Sequence, residues 1–209
     1  MVEYINERYK DDAFVFRIRK NDYGGGVSRG TPGCFVDSEK YPGADILVRY
    51  SGSETYYDNY LYIKYKKQED EYLKNILDEV FDYEYKLYIY ESESSHLIRM
   101  DRISADASFD DYMKNYYKFL RMEVVVAPDY IINDKDDLVE ILGAAFSSGD
   151  ITVNKAMIYF STNREDYDSL PEGIIRSPGA YYRSKSHEEY IYINRTKDGE
   201  QECSWEESR

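Results

Sequence analysis

Two histidines, His96 and His187, and two cysteines, Cys34 and Cys203, are the scarce reactive side chains of this 209-residue sequence. Nucleophilic catalysis needs a nucleophile, a base within hydrogen-bond reach and a group that orients the base. Either histidine could serve Cys34 or a serine, but no local signature joins them, and Gly52-Ser53 lacks the second glycine of a nucleophile elbow. His187-Glu-Glu-Tyr-Ile191 stops short of a zinc-binding HExxH because the second histidine is missing. The cysteines are far apart and in no CxxC spacing, so they specify neither a zinc site nor a redox motif and stand as a disulfide or as two free thiols. Gly24-Gly-Gly26 begins like a phosphate loop, yet Arg29 stands where the third glycine of GxGxxG belongs, and no GKS or GKT follows. Asn133-Asp-Lys-Asp-Asp137 resembles a calcium loop only until Lys135, a cation at a ligand position; helix capping explains the run. With 41 acidic residues no single carboxylate pair has specificity for acid–base hydrolysis. The reading is therefore no catalytic residue, no cofactor and no metal, with a hydrolase of unrecognised site as an alternative.

The elements that position these residues are clearer. Leu73, Ile76, Leu77, Val80 and Phe81 recur at helical spacing, and Glu69, Asp70 and Glu71 place negative charge where a helix N-terminus favours it, so a helix is predicted over 69–81. The period then changes to two: Tyr85, Leu87 and Ile89 share one face of a predicted strand, and Lys86, Tyr88 and Tyr90 the other. The unit recurs at Asp134–Phe146, where Leu138, Ile141, Leu142 and Phe146 align with Leu73, Ile76, Leu77 and Phe81, followed by a strand at 156–160. Asp111–Lys118 likewise aligns with Glu3–Lys10, and apolar strands follow both, at 122–127 and 14–18.

Between these, 21–33 is a glycine-bearing loop, and 34–38 and 45–50 pair as strands around a turn at Tyr41-Pro-Gly43. Residues 55–65 are a further strand or an extended approach to the helix, and 96–103 are a short strand. Ser108-Phe-Asp-Asp111 has the capping-box arrangement ahead of a third helix, and Asp134 caps a fourth that Gly149 stops. Residues 163–179 read as irregular, 188–195 as a strand and 201–209 as a frayed tail. The whole is an α+β chain with a largely antiparallel sheet and about four helices. It forms a single domain over 1–200 or two similar helix-strand-helix-strand halves, 1–103 and 104–200.

Charge narrows the partners. Forty-one acidic against 27 basic residues give −14, a field that opposes phosphate backbones and anionic membrane surfaces and favours basic proteins. Neither nucleic-acid binding nor direct membrane insertion is expected, since no apolar run approaches a membrane span. The 25 tyrosines supply rings that cover a core and hydroxyls that stay wet. Tyr56, Tyr57, Tyr60 and Tyr62, beside the 21–33 loop, form the candidate binding patch.

Glu3-Tyr-Ile-Asn-Glu-Arg-Tyr-Lys10, Ser38-Glu-Lys-Tyr-Pro42, Ile46-Leu-Val-Arg-Tyr50 and Tyr57-Asp-Asn-Tyr-Leu61, followed by Lys64-Tyr65, resemble in order a pattern of small, uncharacterised proteins of Gram-positive gut bacteria. Those proteins are commonly predicted to be exported lipoproteins. The resemblance runs to about residue 85 and implies an exported, membrane-anchored setting but no activity and no site residues. It requires a signal sequence ending in a lipidated cysteine, which the chain as written does not show; read as written, it is expected to be cytoplasmic. Together these features predict a non-catalytic acidic binding protein for a basic or mixed-charge protein partner, the mature part of an exported lipoprotein being one setting. A cytosolic immunity-type inhibitor of a basic toxin is the other alternative.

Overall fold

Alternating β-branched and aromatic residues build the sheets, and apolar residues at 3–4 spacing build the helices. The computed structural model describes residues 1–17, 33–52, 55–90, 97–99, 102–116, 120–147, 155–177, 189–195 and 201–207. In chain order the elements are α1 (Val2–Arg8), β1 (Phe14–Phe16), β2 (Gly33–Ser38), β3 (Ile46–Ser51), β4 (Thr55–Asp58), α2 (Tyr60–Val80), β5 (Tyr85–Tyr90) and β6 (Ile98–Arg99). They continue with α3 (Phe109–Tyr116), β7 (Arg121–Val126), α4 (Lys135–Ser147), β8 (Lys155–Phe160), α5 (Arg164–Ser169), β9 (Ile174–Ser177), β10 (Glu189–Arg195) and β11 (Gln201–Glu207). The α+β class with mainly antiparallel pairing is as expected from sequence.

The chain divides into two compact units that interleave in sequence: 1–68 with 96–115, and 69–95 with 116–209. The division does not follow the halves expected at 103/104, because β5 pairs with β7 and thereby joins the second unit across the intervening α3.

In the first unit the strands run β1-β2-β3-β4-β6, each antiparallel to its neighbour. The β2–β3 turn forms at Tyr41-Pro-Gly43 as expected: Gly43 has φ +81°, a conformation that lacks a penalty only for glycine, and Ala44 N donates to Tyr41 O at 3.1 Å. Ile5, Phe14, Val36, Ile46, Val48, Leu61 and Met113 are buried in its core. The capping box at the start of α3 is realised, with Asp111 N donating to Ser108 Oγ and Ser108 Oγ donating to Asp111 Oδ2. At the sheet edge Asn6 acts as a surrogate strand: Phe14 N donates to its Oδ1 at 3.0 Å and its Nδ2 donates to Phe14 O at 2.9 Å. Asn6→Ala should cost about 1–2 kcal/mol in urea unfolding and raise light scattering by uncovering the edge.

In the second unit the order is β11-β10-β8-β7-β5-β9, with β7–β8 and β5–β9 parallel and the other pairs antiparallel. Helix α4 is the crossover between parallel β7 and β8; Asp136 N and Asp137 N donate to Asp134 Oδ1 at its start, as the capping reading expects. Sheet interiors with parallel strands are covered on both faces. One face buries Leu87, Ile89, Val124, Val126, Ile158 and Ile191; on the other, Tyr88, Val125, Ala127, Tyr159 and Tyr167 form a separate cluster. Strand β5 is therefore not the half-solvated strand its alternation predicts, and Lys86 is buried.

Three further differences have physical causes. Helix α2 begins at Tyr60, not at Glu69, because Tyr60 N donates to Asp58 Oδ1 and Ile63 N to Asn59 O, so the acidic run lies within the helix. The interval 163–179 holds a short helix, capped by Asn163 Oδ1 accepting from Asp166 N, and the edge strand β9. Residues 201–207, expected as a frayed tail, pair along their whole length with β10, from Glu189↔Glu207 to Arg195↔Gln201. Both histidines, the 21–33 loop apart from Gly33, and Gly149 lie outside the described residues. Among the described residues no helix is long and apolar enough to cross a membrane.

Candidate functional site

The expected tyrosine patch separates into two kinds of residue. Tyr60 and Tyr62 open α2 and are buried, at 2% and 5% exposure, so neither ring can meet a partner. Tyr60 lies among Tyr9, Phe14 and Tyr41, with ring centroids 4.3, 5.1 and 5.7 Å away. Tyr56 and Tyr57 on β4 are half-buried. Tyr56 stacks on Tyr4 at 4.3 Å and meets Tyr50 at 5.0 Å, while Tyr57 lies between Arg49 and Arg99 in the strand register. Tyr56 and Tyr60 thus belong to the packing of the first unit, whereas Tyr57 stays half-buried on β4. The helical start at Tyr60 is what turns the expected exposed row inward.

Beneath them lies a polar network that sequence reasoning missed. Asp58, buried at the end of β4, accepts from Tyr4 Oη at 2.7 Å, Tyr9 Oη at 2.8 Å and Tyr60 N at 3.0 Å, and Arg8 Nε stands 3.6 Å from its Oδ2. Arg8 also donates to Ile103 O at 2.7 Å. A second carboxylate, Asp12, accepts from Ser38 Oγ, Tyr60 Oη, Ala13 N and Lys40 N. Burial pushes the Asp58 carboxyl up, against the donors and Arg8, which favour its charge. For Asp12 burial also pushes upward, but the bonds from Ser38, Lys40, Ala13 and Tyr60 outweigh it and hold the carboxyl below its ordinary range. Both carboxylates spend their acceptor positions on the protein, which suits a structural clamp and not a general base, whose lone pair must reach substrate.

The phenols in this network resist ionisation. Burial, with the Asp58 charge, raises Tyr4 and Tyr9, and burial with Asp12 raises Tyr60; in the second unit burial pushes Tyr167 up to about 12. A folded-state value above the unfolded one means the linked stability is complete below about pH 10, the ordinary tyrosine value, and is lost as pH rises beyond it. An alkaline titration followed at 295 nm should therefore show a late tyrosinate fraction that ionises only as circular dichroism reports unfolding. Complete ionisation with native dichroism would contradict the network.

Two cations of the second unit, Lys86 and Arg176, are buried. Lys86 donates to Leu170 O at 2.6 Å, pairs with Glu172 at 3.0 Å and lies 4.7 Å above the Tyr167 ring. Arg176 on β9 donates to Glu69 Oε1 at 3.1 Å and to Asp70 Oδ1. Glu69 is fully buried within the row Leu61, Tyr65, Glu69, Leu73, Leu77 along α2, so this pair interrupts an otherwise apolar stripe.

Cys34 and Cys203 are free thiols. Burial raises both, Cys203 to about 11, the direction opposite to the lowered value of an activated thiol. Among the described residues no group of three or more His, Cys, Asp or Glu side chains converges as a metal site.

At the far side of the second unit, α4 packs against β11. Cys203 Cβ lies 3.6 Å from where a Cβ on Gly143 would stand, Lys135 Nζ sits 4.6 Å over Trp205, and Ser147 Oγ donates to Gln201 Oε1 at 2.8 Å. Trp205 stacks on Phe160 at 5.3 Å and Phe160 on Tyr130 at 5.9 Å. Along the outer side of α4, Asp137, Glu140, Ile141 and Ala144 are exposed at helical spacing.

No protein-family model, curated protein or solved structure matches this chain. The functional reading rests on the chain's own chemistry.

Proposed function

We propose that the chain is a non-catalytic interaction module whose acidic surface docks a basic or mixed-charge protein partner. The observation that carries this reading is how the charges are distributed. The net charge is −14, and several cations that would offset it at contact range are inside. In the second unit the Lys86 and Arg176 side chains are 3% and 6% exposed, whereas Glu172 is 89% and Glu84 60% exposed. In the first unit Arg8 is 11% exposed, against 66% for Asp11 and 63% for Asp45. Lys40, Lys74, Lys135 and Arg164 remain 44%, 64%, 49% and 49% exposed, so the surface is mixed in sign. With a net charge of −14, however, carboxylates are in excess, and that excess steers a positively charged surface and disfavours an anionic one.

The saturated carboxylates Asp58 and Asp12 and the raised thiols support a binding role over a hydrolytic one. The resemblance of the first part of the chain to exported lipoproteins supports an exported setting for this module.

The test is the salt dependence of binding to extended peptides of equal length carrying net charges of plus four, zero and minus four. Fluorescence anisotropy should rank them in that order at low ionic strength. Affinity for the basic peptide should fall about ten-fold or more when salt is raised from roughly 50 to 300 mM. Equal binding of all three, or binding indifferent to salt, would contradict the proposal.

A further inference from the structure

A sheet edge exposes a row of N–H and C=O groups that can template another strand, and proteins generally shorten, charge or cover it. Among the described residues the two sheets end at β1, β6, β9 and β11. Strand β1 has three residues, and Asn6 occupies the outward groups of Phe14. Strands β6 and β9 have two and four residues. Strand β11 has seven, and among the described residues it pairs on one side only, with β10.

Its two faces differ. Gln201, Cys203 and Trp205 lie toward α4, through the contacts given above. Alternation puts Glu202 and Glu206 on the opposite face, where both are exposed. Among the described residues neither has a cationic partner, and Glu206 accepts only from Ser204 Oγ, at 2.9 Å. On the α4 side two donors of the same strand, Trp205 Nε1–H and Gln201 Nε2–H, are buried with no acceptor among the described residues. Such donors are costly to leave unsatisfied.

We propose that β11 is a docking edge that takes an extended lysine- or arginine-bearing segment of a protein partner as an added strand. This inference rests on the acidic-module reading and gives it a place and a mode. In antiparallel addition, the residues opposite Glu206 and Glu202 are four apart on one face of the incoming strand, so basic side chains belong there. The residue following the first of them stands opposite Trp205 on the other face, where serine, threonine or asparagine supplies an acceptor for the buried donors. Main-chain bonds supply affinity and these alternate side chains supply selection. A second copy of the chain fits worse: two-fold antiparallel pairing centred on Ser204 sets Glu202 opposite Glu206 twice, and like charges directly opposite are destabilising.

The probes are two labelled nine-residue peptides, one with lysines at positions three and seven and threonine at four, the other with glutamates replacing the lysines, together with poly-lysine. The lysine peptide should bind the full chain, change the emission of Trp205, the only tryptophan, and slow amide exchange across 201–207. Glu202→Lys/Glu206→Lys, both exposed changes, should keep the native dichroism, bind the lysine peptide about ten-fold more weakly and gain affinity for the glutamate peptide. If the double variant binds the lysine peptide as the parent does, the docking edge is wrong while the acidic-module reading stands. The same holds if poly-lysine binds the parent but the lysine peptide leaves β11 exchange unchanged. Failure of the parent to bind either basic probe overturns both readings. Protection of β11 that grows with protein concentration alone places a second copy on the edge and overturns the proposal.

Discussion

Asp58→Ala should destabilise the first unit by about 3–5 kcal/mol, enough to remove much of the stability of an ordinary domain. The substitution deprives Tyr4 Oη, Tyr9 Oη and Tyr60 N of their acceptor and removes the carboxylate that faces Arg8. Each buried donor left unmade costs far more than the net value of the bond it formed. The loss also reaches α2, whose first backbone N–H is held by Asp58 Oδ1. Asp58→Asn keeps an acceptor for part of the set and should cost about 1–3 kcal/mol. Chemical unfolding of both variants checks the order. A loss under about 0.5 kcal/mol for alanine would show that the network contributes nothing to the fold.

The second large effect is expected at Arg176. Arg176→Ala removes the guanidinium shared by Glu69 and Asp70 and should cost about 3–5 kcal/mol, because Glu69 has no exposure to water. Glu69→Leu should cost less, since it extends the apolar row of α2 while stranding a cation that Asp70 still faces. The double variant Glu69→Leu/Arg176→Met should recover most of the stability, as apolar residues often replace a buried pair without loss. A double-mutant cycle reads the coupling directly. Additive effects of the two changes would contradict a shared ion pair.

What the sequence made legible follows local physics. The periodicity of Leu73, Ile76, Leu77 and Phe81, the capping box at Ser108 and the caps at Asp134 are interactions within a few residues, and all three reappear in the structure. The start of α2 was not legible, because Tyr56, Tyr57, Tyr60 and Tyr62 fit a strand as well as a helix by composition; only the distant Tyr4, Tyr9 and Arg8, converging on Asp58, distinguish them. The burial of Lys86 and Glu69 was not legible for the same reason: their partners, Leu170, Glu172 and Arg176, are remote in sequence. Strand β11 carries polar residues at five of its seven positions excluding cysteine and tryptophan, namely Gln201, Glu202, Ser204, Glu206 and Glu207, a composition typical of a tail. Pairing with β10 and packing against α4 override that local preference. Of the tyrosines expected to form a binding patch, Tyr60 and Tyr62 are buried by the helix boundary and Tyr56 and Tyr57 are half-buried, while the acidic character is a property of the whole chain.

The most direct measurement of the account is the identity of what the protein holds in its own cells. Crosslinking followed by mass spectrometry, at low and at high ionic strength, should recover a protein partner with a net positive charge or a strongly basic segment, in a yield that falls steeply with salt. An acidic partner, a yield indifferent to salt, or no protein partner at all would contradict an acidic docking module.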